Sequence, residues 1–220
     1  MASGIGRRRA AAQAEGGAAY KDRRTEIIAA AASIFREKGF RATSLADIAD
    51  AVGTDRASLY YYVGSKDEMF HEIVREAADA NAARAEAIRD GAKSAPAKIA
   101  ELVTSLLTSY ASHPYLFVYI QEDLSKVADG KSSWARQMRT INRRYDDAVV
   151  AIVRSGIEDG SLRNAGSPRL IANGIIGMLN WTHRWFHGDD SGQGAAEIAE
   201  TFTRLLLDGL QAKRDPRPAR

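Results

Sequence analysis

Residues 43–66, TSLADIADAVGTDRASLYYYVGSK, constrain the fold more tightly than any other stretch of the chain. Leu45, Ile48, Ala49 and Val52 recur at helical spacing, and Thr43 or Ser44 stands where the first turn needs a capping oxygen. Gly53 then supplies a tight turn, and Asp55 can cap a second short helix carrying Arg56 to Tyr62. Successive helical residues point about 100° apart, so Tyr60, Tyr61 and Tyr62 cannot all reach one core and at least one faces outward. Gly64-Ser65 ends this helix, and Ser65 followed by Glu68 is a capping box that opens a long helix towards Arg89.

Two short helices joined by a glycine turn, the second with polar residues at its N-terminal end, have the layout of a helix-turn-helix. In that layout Leu59 faces inward, Val63 closes a small core, and Thr54, Arg56, Ala57 and Ser58 face a major groove. The tyrosines line the groove wall, where a phenol can stack on sugar or a thymine methyl and donate its hydroxyl to a phosphate. Lys66 adds a cation on the same side. Charge points the same way. Residues 1–66 hold eleven Lys and Arg against seven Asp and Glu, whereas the remainder holds twenty against twenty-one. The positive excess lies where a polyanion would bind.

The rest of the chain carries helix signals and no sustained period-two alternation, so the expected fold is all-α with about nine or ten helices. Residues 1–19, with Arg7-Arg8-Arg9 and no apolar face, read as a disordered basic arm. The expected organisation continues with a three-helix DNA-binding domain over 20–66, a larger effector-binding and dimerisation domain over 67–213, and a flexible tail over 214–220. Within the larger domain, helices are expected from Pro96 through Tyr110, from Pro114 through Ile120, over about 132–158, from Pro168 to about Phe186, and over about 195–211. There is no cysteine, which removes disulfides, thiolate metal sites and cysteine nucleophiles. No apolar run reaches the roughly 18 residues of a membrane span, so a cytoplasmic protein without a membrane partner is expected.

The stretch TSLADIADAVGTDRASLYYYVGSKDEM, with AxxIFREKGF upstream, resembles the DNA-binding signature of the TetR family of bacterial transcriptional regulators. The resemblance implies that Thr43, Tyr60, Tyr62 and Lys66 hold phosphates and that Thr54, Arg56, Ala57, Ser58 and Tyr61 lie at base edges. Thr54-Asp55 stands where the family often has Val-Ser, and Ala57 occupies a common proline or glycine site. It further implies a helical effector domain, a homodimer formed through the last two long helices, and a double-stranded DNA operator. Gly174 and Gly177 thin one side of the first of those helices, and Ile198, Phe202, Leu205, Leu206 and Leu210 give the second a broad apolar stripe.

The C-terminal part is rich in aromatic and long apolar side chains: Tyr110, Tyr115, Phe117, Tyr119, Met138, Tyr145, Met178, Trp181, Trp185 and Phe186. At helical spacing such residues are more often core than pocket. Asn180 and Arg184 interleave with the two tryptophans, and Arg139, Asn142, Arg143 and Arg144 lie on another helix. The segment GMLNWTHRW, residues 177–185, is similar to a stretch in TetR-family regulators of fatty-acid and steroid catabolism, several of which sense acyl-CoA thioesters. The expected effector is therefore a small hydrophobic molecule, an acyl-CoA among the choices. Leu102, Leu106, Phe117, Met138 and Met178 are its expected lining, Trp181, Arg184, Arg143 and Arg144 the expected partners of its polar end, and Tyr110, Asn142, Tyr145 and Trp185 are further expected ligand-binding residues.

No enzyme signature competes strongly. Asp146 and Asp147 are adjacent and diverge, no Gly-rich phosphate loop occurs, and no cofactor is implied. The alternative from another class is a helical enzyme or metal-binding protein built on His183 and His187 at i,i+4, with Asp189 and Asp190 following. A DNA-binding architectural protein without an effector is a third.

Overall fold

A computed structural model of the chain describes residues 17–123, 127, 128, 130–186 and 194–210. Among these residues there are nine α-helices and no strand. They run α1 Ala18–Lys38, α2 Leu45–Ala51, α3 Arg56–Tyr62, α4 Lys66–Asp90, α5 Ala95–Ser112, α6 Tyr115–Val118, α7 Ser133–Glu158, α8 Pro168–Asn180 and α9 Ala195–Leu210. Helix α1 begins two residues earlier than Tyr20, so the end of the expected arm is helical; residues 1–16 and 211–220 lie outside the described residues.

Two boundaries depart from the sequence reading. The helix from Pro168 stops at Asn180 and tightens into a 3₁₀ turn over Trp181–Arg184, so it does not reach Phe186 as an α-helix. After Pro114 only one α-turn forms, and Tyr119–Asp123 widens into a π-helix. Both are short departures from i,i+4 pairing, which apolar periodicity alone does not register.

The chain forms two compact units. One comprises residues up to Ala77 together with His113–Tyr119; the other comprises Ala78–Ser112 and the chain from Ile120 onward. The division falls inside α4, after Ala77.

In the first unit, Ile27, Ala31 and Phe35 from α1, Ile48 and Ala49 from α2, Leu59 and Val63 at α3, and Met69, Phe70 and Ile73 from α4 are all buried. Each of these side chains larger than alanine contributes on the order of 1.5–3 kcal/mol. The rings of Phe40 and Phe70 lie 4.3 Å apart, with Phe35 edge-on to both. In the second unit α9 packs chiefly on α5, and α8 chiefly on α7. Gly156 permits the close approach of α7 to the start of α5. A Cβ there would lie 2.6 Å from both Ala95 and Leu162, closer than any side chain tolerates without a shift.

Candidate functional site

The short helices are fixed by their caps. The Asp47 amide donates to Ser44 Oγ at 3.2 Å and the Ser44 amide returns a bond to Asp47 Oδ2 at 2.7 Å, so of the two possible caps Ser44 is the one used. Lys38 Nζ lies 2.8 Å from Asp47 Oδ1, and Lys38 with the Ser44 donors holds that carboxyl well below its usual range. Gly53 takes φ 65°, a conformation that costs glycine nothing, and the chain turns to let the Thr54 amide reach the Ala49 carbonyl at 2.9 Å. Asp55 then caps α3, accepting from the Ser58 amide at 2.8 Å and the Ser58 hydroxyl at 2.7 Å, which lower its own pKa. Leu59 and Val63, both buried, lock α3 against the unit.

This leaves Arg56 and Ala57 exposed and Thr54 and Ser58 half-buried at the N-terminal end of α3, with Tyr60 beside them. The Arg56 guanidinium lies 5.9 Å from the Tyr60 ring centre and 3.5 Å from its hydroxyl. The other two tyrosines have a partner that sequence reasoning missed. Tyr20 of α1 stacks on Tyr62 with ring centres 5.1 Å apart and meets Tyr61 edge-on at 5.5 Å, and its hydroxyl donates to the Tyr61 carbonyl at 3.4 Å. Tyr61 keeps 39% of its surface exposed. Part of the tyrosine run therefore fastens α3 to α1. No local pattern around Tyr20 signals this, because the contact spans 41 residues.

Two residues expected at phosphates are occupied inside the protein. Thr43 is 2% exposed, and its hydroxyl donates to the Gly39 carbonyl at 2.8 Å. Lys66 Nζ donates to the carbonyls of Phe40 and Thr43, both at 2.8 Å, and stands 4.5 Å from the Phe40 ring centre. In this arrangement both side chains brace the segment between α1 and α2. Thr43 is buried there and Lys66 half-buried.

The expected effector residues other than Phe117 lie at several places among the described residues of the second unit. Leu102, Leu106 and Tyr145 meet at a shallow surface dent, with no room for a water molecule, which Asn81, Arg84, Ala85 and Ser105 also line. Burial pushes the Tyr145 phenol well above its usual range. Tyr110 is buried and donates its hydroxyl to Asn180 Oδ1 at 2.6 Å. Met138 is sealed in the core, Met178 and Asn142 are half-buried, and Arg143 is exposed. Phe117 belongs to the segment that groups with the first unit. Arg144 is not a free partner for an anion: it makes a two-pronged pair with Glu86 at 3.0 and 2.7 Å and reaches Asp79 at 2.5 Å. Arg139 is likewise turned to the carbonyls of Val127 and Gly130. The Arg184 guanidinium lies 5.3 Å from the Trp181 indole ring, and Trp181 is 61% exposed. Trp185 is edge-on to Phe202.

For the metal-binding alternative, His183 Nδ1 lies 2.8 Å from the Asn180 carbonyl, while His187, Asp189 and Asp190 fall outside the described residues. Among the described residues no group of three or more His, Asp or Glu side chains could hold a metal ion, and no helix is long and apolar enough to cross a membrane.

Two family models match the sequence: "Bacterial regulatory proteins, tetR family" over residues 27–73 and "Tetracyclin repressor-like, C-terminal domain" over residues 92–210. The HTH-type transcriptional repressor KstR2 of Rhodococcus jostii (strain RHA1) is 30% identical over 192 residues, covering 86% of this chain and 91% of that protein. The solved structure of the ketosteroid transcriptional regulator KstR2 of Mycobacterium tuberculosis superposes with a TM-score of 0.71 at 26% identity, covering 87% of this chain and 96% of the other. The transcriptional regulator FadR of Bacillus subtilis, solved in complex with stearoyl-CoA, superposes with a TM-score of 0.65 over 84% and 98% of the two chains. At 19% identity that likeness speaks to the fold alone.

Proposed function

The chain belongs to the TetR family of bacterial regulatory proteins, ligand-responsive DNA-binding regulators, and on that premise we propose that it is a homodimeric repressor released from a palindromic operator by an acyl-CoA. The observation that carries the DNA-binding part is α3 itself. It is capped at Asp55, locked from behind by Leu59 and Val63, and it turns Arg56 and Ala57 to solvent at the end that would enter a major groove. Arg56, Ala57, Thr54, Ser58 and Tyr61 read base edges in this proposal; Tyr60 and Tyr62 flank the backbone, and Thr43 and Lys66 hold the frame.

The dimer is supported by exposed apolar groups on α8 and α9. Leu170 and Leu205 are 68% and 62% exposed, and a Cβ added at Gly174 or Gly177 would meet open space, so this face has room for a second helix to approach closely. Two α3 helices related by a two-fold axis would then meet successive major grooves, roughly 34–36 Å apart. An effector need only favour a different spacing of the heads to release DNA.

The effector class is supported by the acyl-CoA resemblance of residues 177–185 and by the names of two relatives, the ketosteroid transcriptional regulator KstR2 and a fatty acid metabolism regulator protein. Trp181 with Arg184 offers a stacking and cationic surface suited to a nucleotide end. In vitro selection of duplexes, followed by titration of stearoyl-CoA and a polycyclic acyl-CoA against the selected site, tests the whole reading. An enriched palindrome released by thioester, but not by free CoA or free acid, is expected. Absence of sequence enrichment, or turnover of a substrate by the protein, would overturn it.

A further inference from the structure

We propose that Asp55 is a specificity residue as well as a cap: with the Ser58 hydroxyl it makes a patch that accepts hydrogen bonds and donates none, and so selects a base bearing an exocyclic amino group, cytosine or adenine, on the strand it faces. The inference rests on the DNA-binding reading above, in which the N-terminal end of α3 enters a major groove.

Hydrogen-bond accounting carries it. Asp55 is exposed, and Ser58 supplies the bonds to both its oxygens: the Ser58 amide donates to Oδ1 at 2.8 Å and the Ser58 hydroxyl to Oδ2 at 2.7 Å. A carboxylate has about four lone-pair sites, so Asp55 keeps acceptor capacity towards solvent. Ser58 has one hydroxyl proton, and it points at Asp55, so Ser58 Oγ offers other partners lone pairs only. The Ser58 amide and hydroxyl also hold the Asp55 carboxyl below its ordinary pKa, which leaves it ionised at neutral pH. Arg56, next in the chain, does not quench this charge. Its guanidinium turns to Tyr60, 3.5 Å from the hydroxyl and 5.9 Å from the ring centre.

The bases differ in what they present to such a patch. In the major groove guanine shows acceptors at N7 and O6, and thymine an acceptor at O4. Cytosine shows the N4 amino donor, and adenine an N6 amino donor beside its N7 acceptor. An acceptor pressed against an acceptor makes no bond and leaves both desolvated, so guanine and thymine are rejected there. Cytosine fits best, because it brings no second acceptor. The neighbouring Arg56 has the opposite polarity, donors alone, and suits guanine O6 and N7. A serine cap, which the family often carries at this position, can turn its hydroxyl to donate or accept, whereas the aspartate fixes the polarity.

Asp55→Asn is the discriminating change. Asparagine caps a helix as well as aspartate does, but it replaces one oxygen by an NH2 donor and leaves the Ser58 hydroxyl free to turn outward. Duplexes are selected in vitro with the full chain and with the variant, and single-position exchanges in the selected site are measured by fluorescence anisotropy. The wild-type site is expected to hold, in each half, a position where replacing C or A by G or T weakens binding about fivefold or more. Asp55→Asn should shrink that factor below about twofold while the preferences at other positions and the Tm stay as they were. Asp55→Ser, another good cap, should flatten the same position and serves if the asparagine variant does not fold. Variants that select the wild-type motif at every position, at equal or uniformly lowered affinity, would overturn the base-selecting role and leave the DNA-binding reading standing. Failure of the wild-type chain to enrich any motif would overturn that reading, and the Asp55 role with it.

Discussion

Replacing Lys66 with methionine separates a phosphate-binding residue from a structural one. The ammonium donates to the carbonyls of Phe40 and Thr43 at 2.8 Å, lies at 3.5 Å from that of Arg41, and stands 4.5 Å from the Phe40 ring centre. Two good hydrogen bonds from a charged donor are worth about 1.5–3 kcal/mol each before losses. Holding a lysine side chain in one conformation costs up to about 2 kcal/mol, and the freed carbonyls can be rehydrated in part. A net loss of about 2 kcal/mol follows, with the methionine chain keeping most of the packing on Phe40. For a chain of this length that corresponds to about 4–8 °C in Tm. Thermal unfolding followed by circular dichroism measures it, and duplex affinity against salt concentration measures the alternative. A phosphate clamp would instead leave Tm unchanged and lower the slope of log K on log salt by about 0.9. An unchanged Tm with a reduced slope would refute the bracing role.

Arg56→Ala should cost about 1–3 kcal/mol on the selected operator and little on random duplex, measured by fluorescence anisotropy; equal losses on both would remove its base-reading role. Leu205→Glu, which places a charge in the exposed apolar face of α9, should yield monomers by light scattering and lose operator binding, and a variant that stays dimeric would tell against that face. Tyr20→Ala should lower operator affinity several-fold with helix content retained, because it unfastens Tyr61 and Tyr62 from α1. Burial raises the phenol of Tyr115 to about 12 and that of Tyr145 further, against an unfolded value near 10. Their neutral forms thus favour the folded state fully below pH 10, and that stability should drain away as pH rises through 10 to 12. Urea melts at pH 9 and 11 should show the loss, and a Tyr145→Phe variant whose alkaline loss equals that of wild type would exclude Tyr145 as a source.

What the sequence conveyed and what it withheld divide by the range of the interactions involved. Ser44, Gly53 and Asp55 act on residues within four or five positions, so their caps and turn are legible from residue type and spacing alone. The long helices α5 and α7 are legible for a related reason: their apolar residues repeat over several turns, and only burial of one face makes sense of that repetition. Lys66, Tyr20 and Arg144 were not legible, because each acts on a partner 23 to 65 residues away. A lysine beside a recognition helix looks the same in sequence whether it meets a phosphate or three carbonyls, and Arg139, Arg143 and Arg144 on α7 look equally available until two acids on α4 are seen to claim Arg144. The same distinction explains why the second unit yielded less than the first. A helix-turn-helix is specified by local chemistry repeated in a fixed order, whereas an effector site is assembled from single residues on separate helices.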